Sequence, residues 1–175
     1  MAWLFRFLKA LAAVLLVLVL VAYALPDRHL VERHRTIART PAQLWPLLAD
    51  PRQWPRWSPW WARDPAMRLS YSGAASGLGA RWSWDSAVLG RGTVVFDVAQ
   101  PPVRLGYGVQ FAQGMAARGE FRLDAVEAGT RVTWTQESRL GANVLLRWLS
   151  PLRDHQLGQD VEQALERLST VALDP

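Results

Sequence analysis

The chain predicts an α+β fold, a curved antiparallel sheet of about seven strands wrapped around a long C-terminal helix, with an N-terminal transmembrane helix ahead of it. Six short strand-like runs between Met67 and Glu137 are separated by Gly- or Pro-rich breaks, the pattern of an antiparallel meander. After Gly141 the apolar period changes from two to about 3.6, which marks helix. At the other end, Ala10 to Leu25 carries no charge or strongly polar group.

Counted from Trp3, that first apolar stretch runs 23 residues, about 35 Å as a helix and long enough to cross a bilayer. Arg6 and Lys9 can snorkel to one interface beside Trp3 and Phe5, while Tyr23 and Pro26 mark the other. We therefore divide the chain into a membrane anchor, residues 1–25, and one domain, residues 26–175. A cleaved signal peptide is the alternative, since Ala22-Tyr23-Ala24 fits a small-x-small cleavage site. The short positive amino terminus favours an extracytoplasmic domain, against the competing Arg28, Arg33, Arg35 and Arg39.

Leu30 to Ala38 alternates as a strand. Thr40-Pro41-Ala42-Gln43 then supplies a capping threonine, a first-turn proline and a glutamine three residues on, so a short helix carries Leu44, Trp45, Leu47 and Leu48. Asp50-Pro51 ends it. The following PRQWPRWSPWW, with three prolines and four tryptophans, predicts an ordered aromatic connection that is neither a regular helix nor a central strand. The strands come next: Met67 to Tyr71, Arg81 to Ser86, Thr93 to Val98, Val103 to Phe111, Ala117 to Leu123 and Arg131 to Glu137. Beyond Gly141 a short helix is expected, then, past Pro151, a longer one with the stripe Leu157, Val161, Leu165, Leu168 and Val171.

Composition narrows the chemistry. There is no cysteine, which excludes disulfides, thiolate metal sites and a cysteine nucleophile. From Pro26 onward eighteen arginines stand singly among fifteen acids, without the clustered basic face that nucleic acid requires. His29, His34 and His155 lack a metal-ligand spacing, so neither a metal nor a cofactor is expected. Gly77-Leu78-Gly79 lies between strands and reads as a turn, and no G-x-S-x-G elbow occurs.

Strict alternation sends Met67, Leu69, Tyr71, Trp82, Trp84, Val94, Phe96, Val98, Leu105, Tyr107, Val109, Phe111, Phe121, Leu123, Val132, Trp134 and Gln136 inward. The charged strand residues point outward. The polar groups left inside are Tyr71, Tyr107, Ser86, Gln136 and the indole N–H groups, with no carboxylate, histidine or lysine among them. Such an interior suits a hydrophobic small molecule or lipid held by a few hydrogen bonds.

The order of elements, and the segments TIARTPAQLWPLLADPRQWPRWSPW, GLGARWSWDS, LGRGTVVFDV, PPVRLGY and GTRVTWTQES, resemble the polyketide cyclase/dehydrase-like branch of the START-related helix-grip superfamily, often labelled SRPBCC. The resemblance covers residues 30 to 172. It implies a cavity between the curved sheet and the last helix, with the Trp57 to Trp61 segment near its mouth. The expected ligand-binding residues are thus Trp57, Trp60, Tyr71, Trp82, Trp84, Tyr107, Phe111, Trp134 and Gln136. The expected function is membrane-tethered binding of a hydrophobic or lipid-like small molecule, with no catalytic residue assigned. Two alternatives stay open. A cyclase or dehydratase-like enzyme would use Tyr71 or Tyr107 as proton donor and needs Asp85, Asp97, Glu137 or His34 inside the cavity. A structural or assembly module would have a filled core, with no cavity above about 300 Å³.

Overall fold

A computed structural model describes residues 2–24, 28–139 and 150–174. Helix α1 (Ala2–Ala24) opens the chain. Its large side chains from Trp3 to Tyr23 stand exposed, and the span is long and apolar enough to cross a membrane, a property a signal sequence shares.

Seven strands then form one antiparallel sheet: β1 (Arg28–Ile37), β2 (Arg68–Gly73), β3 (Ala80–Ser86), β4 (Gly90–Gln100), β5 (Arg104–Phe111), β6 (Ala116–Val126) and β7 (Gly129–Arg139). Their order is β1-β7-β6-β5-β4-β3-β2. Strands β2 to β7 are the expected meander, and β1 adds itself beyond β7, from Arg28 opposite Arg139 to Ile37 opposite Thr130. Helix α5 (Ser150–Leu173) buries Val161, Ala164, Leu165 and Leu168 against the sheet's inner face. Pro151 sits in its first turn, where a missing N–H costs nothing. The short helix expected after Gly141 lies outside the described residues.

Helix α2 (Pro41–Ala49) starts with the expected capping box: Gln43 N–H donates to Thr40 Oγ1, and Thr40 N–H donates to Gln43 Oε1 at 2.9 Å. Its C-terminus shows why the tryptophans follow. A helix leaves its last four carbonyls without intrahelical partners. Here Pro46 O accepts from Asp50 N–H, Leu47 O from Trp57 Nε1 at 3.0 Å, Leu48 O from Trp54 Nε1 at 2.8 Å, and Ala49 O from Gly77 N–H. All four are satisfied, two of them by indoles whose rings also fill the core.

The proline-rich connection differs from its sequence reading in one respect. It is helical in pieces: a 3-10 turn (Pro51–Gln53), α3 (Trp54–Trp57) and α4 (Pro59–Arg63), each with a proline among its first two residues. Proline breaks a helix interior but suits a first turn, so three closely spaced prolines give three short helical starts. The second correction concerns β4. A bulge between Phe96 and Val98 inserts one residue and reverses the alternation. Ala99 packs against the core in place of Val98, which lies instead over Gly106.

Candidate functional site: an aromatic cavity

A cavity of about 380 Å³ lies between the sheet's inner face, the α3–α4 connection and the start of α5. Trp54, Trp60 and Trp61 wall one side; Trp82 and Trp84 of β3, Val94 of β4 and Val109 and Phe111 of β5 wall another. Met67, Leu89, Met115, Ala116, Ala117 and Leu157 complete the apolar lining. Tyr107, Gln136, Ser138 and Arg63 bring its polar side chains, and β6 borders it at Arg118.

Two glycines make room for the largest rings. Gly92 lies opposite Trp84 in the β3–β4 register, and a Cβ there would collide with the indole. Gly119 lies opposite Tyr107 between β5 and β6, and a Cβ there would overlap the phenol ring. Both aromatic side chains therefore lie flat across a neighbouring strand.

The Tyr107 hydroxyl is the polar centre. It accepts from Trp134 Nε1 at 2.9 Å and from Gln136 Nε2 at 3.4 Å. With one acceptor site taken by the indole, the tyrosine–glutamine pair holds more N–H and O–H donors than it uses internally, whichever way the amide is turned. At least one is left for a guest. Burial pushes the Tyr107 phenol well above its ordinary value, outweighing the hydrogen bonds from Trp134 and Gln136 that favour ionisation. It stays a neutral hydroxyl. The Trp82 indole N–H is also buried, with no acceptor among the described residues.

Of the nine expected site residues, Trp60, Trp82, Trp84, Tyr107, Phe111 and Gln136 line this cavity. Trp57, Tyr71 and Trp134 do not. Trp57 is fully buried below it, 5.0 Å from Trp54 ring to ring, and occupied with the Leu47 carbonyl. Trp134 is packed solid between Trp57, Trp60 and Phe121 and serves the site through its bond to Tyr107. Tyr71 sits on the edge strand β2 with the Arg52 guanidinium 5.0 Å from its ring. Burial raises its pKa, and Arg52 opposes the rise.

Ser86 is likewise spent elsewhere. Its hydroxyl donates to Asp64 Oδ2 at 2.6 Å and accepts from the Val88 and Leu89 amides, so it ties the end of the connection to the β3–β4 turn. Asp64, which sequence reasoning missed, is buried there and also accepts from Ala66 N–H. None of Asp85, Asp97, Glu137 or His34 lines the cavity. Asp85 pairs with Arg68 at 3.0 Å and Asp97 with Arg118 at 2.6 Å on the outer surface. Arg63, at the rim, forms an ion pair with Asp160 of α5. Among the described residues no three His, Cys, Asp or Glu side chains cluster as metal ligands would. Trp54 and Trp61 were also missed; Trp54 carries a signal in retrospect, since it lies three residues before Trp57, the spacing of one helical face.

A curved antiparallel sheet closed over a long terminal helix, with a cavity between them, defines the helix-grip architecture. The chain belongs to the family described as polyketide cyclase / dehydrase and lipid transport, whose pattern it matches over residues 28–172. No curated protein matches the chain. Among solved structures it is similar to protein CV1439 from Chromobacterium violaceum, with 16% identity over 86% of this chain and 100% of that one, at a TM-score of 0.60. It is also similar to Ara h 8.0201, with 15% identity over 85% and 99% of the two chains and a TM-score of 0.62. DynU16, a protein of the dynemicin biosynthetic locus, shares 19% identity over 83% of this chain and 46% of its own, with a TM-score of 0.57. At these identities the likeness is one of fold.

Proposed function

We propose that the protein binds a hydrophobic small molecule or lipid-like chain in the aromatic cavity and is held at a membrane by α1, with residues 26–175 as the binding unit. The observation that carries this reading is the lining itself: five tryptophans and a phenylalanine around about 380 Å³, with donors gathered at the Tyr107–Gln136 pair. Pockets for small molecules are mostly apolar with a few convergent polar groups. Scaled from the 150 Å³ that accommodates benzene, the volume suits a guest of about fifteen non-hydrogen atoms. A guest carrying one oxygen acceptor meets both demands of the site, apolar contact along its length and a hydrogen bond at Tyr107 or Gln136.

Half of the chain's ten tryptophans line the cavity, so their emission reports directly on occupancy. Titration of residues 26–175 with fatty acids, quinones and polycyclic aromatics is expected to change it saturably for at least one class. No saturable change with any class contradicts the binding reading.

The family's description favours a second reading, a cyclase or dehydratase-like catalyst on polyketide-type substrates. In it the neutral Tyr107 hydroxyl would polarise a substrate carbonyl by hydrogen bonding. The cavity lining includes no carboxylate, histidine or lysine among the described residues, so proton transfer would have to involve groups on the substrate or water. Turnover of a polyketide mimic that Tyr107→Phe abolishes, while binding persists, would establish it over simple carriage.

A further inference from the structure

We propose that the end of the domain where the cavity opens faces the bilayer crossed by α1, with Val88 and Met115 seated in the lipid interface, so that guests pass between membrane and cavity without crossing water. This rests on the reading of α1 as a membrane span. It follows from chain connection and strand register.

Strand β1 begins at Arg28, opposite Arg139 at the end of β7. Ala117 near the start of β6 pairs with Ser138, Gln110 near the end of β5 with Ala116, Gly92 near the start of β4 with Phe111, and Ser86 at the end of β3 with Gly90. All these positions share one end of the sheet. They include the cavity's rim, since Leu89, Met115, Ala116 and Ser138 line it. Helix α1 ends at Ala24, four residues before Arg28, and four extended residues reach at most about 14 Å. A membrane-spanning α1 therefore brings this end against the bilayer. The opposite end, ten residues along β1, lies about 30 Å further away.

The side chains at the near end suit that position. Val88, at the tip of the β3–β4 turn, is 67% exposed, and Met115, at the β5–β6 turn, is 42% exposed while also touching the cavity. Leu78 and Val103 at the far end are comparably exposed, 63% and 47%. Exposure alone does not choose the end; the tether does. An apolar tip beside a greasy cavity and a membrane gains burial when inserted, where the same tip in water gains none.

The chain has no cysteine, so single thiols can be introduced without background. Full-length Leu15→Cys, Val88→Cys, Met115→Cys and Leu78→Cys variants would carry an environment-sensitive fluorophore in phosphatidylcholine–phosphatidylglycerol vesicles containing spin-labelled lipid. Quenching is expected at 15, 88 and 115, at least about twofold stronger at 88 and 115 than at 78, given the separation of the two ends. Quenching at 15 with none at 88 and 115, or equal quenching at 88 and 78, overturns the docking and leaves the tether standing. Absence of quenching at 15 overturns tether and docking together, while cavity binding by residues 26–175 survives as a separate result.

Discussion

Tyr107 shows how much one residue's role depends on partners far away in sequence. Alternation along β5 points it inward, but its bonds to Trp134 and Gln136 span 27 and 29 residues and exist only because β6 pairs on both sides in one register. Its ring lies flat only because Gly119 stands opposite. Tyr107→Phe is expected to cost about 1–3 kcal/mol at neutral pH, because a buried indole N–H loses its acceptor, measured as a fall in urea midpoint. The pH dependence has a definite sign. Folding holds the phenol protonated, so its contribution is complete below the ordinary tyrosine value near 10 and is lost as pH rises above it. The stability gap between wild type and Tyr107→Phe should therefore narrow above pH 10, by up to about 1.4 kcal/mol per pH unit. A constant gap from neutral to strongly alkaline pH contradicts the assignment. Ser86 makes the converse point: alternation also points it inward, and only the folded connection reveals Asp64 placed to accept its hydrogen bond.

Among the elements, those governed by short-range rules were legible in the sequence. The capping box at Thr40, the meander and the apolar stripe of α5 all stand where local chemistry puts them. Two features were not. The bulge in β4 carries no Gly or Pro at Asp97, so nothing local announces the flip from Val98 to Ala99. The connection is, as expected, neither a regular helix nor a central strand, but its prolines read only as breakers, whereas each opens a short helical piece. Once α3 is helical, Trp54 and Trp57 share a face and reach back to the carbonyls of α2, which accounts for their burial. Thr40→Ala tests the element on its own. Loss of the cap should cost about 1 kcal/mol, lowering Tm by about 2–4 °C in a domain of this size. Ligand affinity should not move, since Thr40 lies at the far end of the sheet from the cavity; a change in affinity would mean that α2 is coupled to the site.

For the whole molecule, the decisive feature is that the sheet closes over α5 without filling itself. The core is dense around Trp54, Trp57, Phe121 and Trp134, with ring centroids 4.6–6.1 Å apart, yet toward the β3–β4 and β5–β6 turns the same aromatic surface faces open space. Sequence patterning identified this lining as aromatic and uncharged but could not divide it into packed and open parts. That division depends on how far α3 and α4 descend onto the sheet, a tertiary distance with no local signature. Trp57 and Trp134 fell on the packed side, and Trp60, Trp82 and Trp84 on the open one.

Ala117, on the cavity wall of β6, gives the most direct test of whether that open part holds the guest. Ala117→Trp would place an indole inside the cavity, a space-filling change that the open volume accommodates with the surrounding fold retained. The measurement is the dissociation constant of the tightest-binding apolar ligand for wild type and for Ala117→Trp, by tryptophan emission with parallel calorimetry. Blocking the cavity should weaken binding at least about tenfold, or about 1.4 kcal/mol, with the thermal transition kept. Equal affinity in the two proteins would mean that the guest binds elsewhere and would contradict the assignment of the aromatic cavity as the binding site.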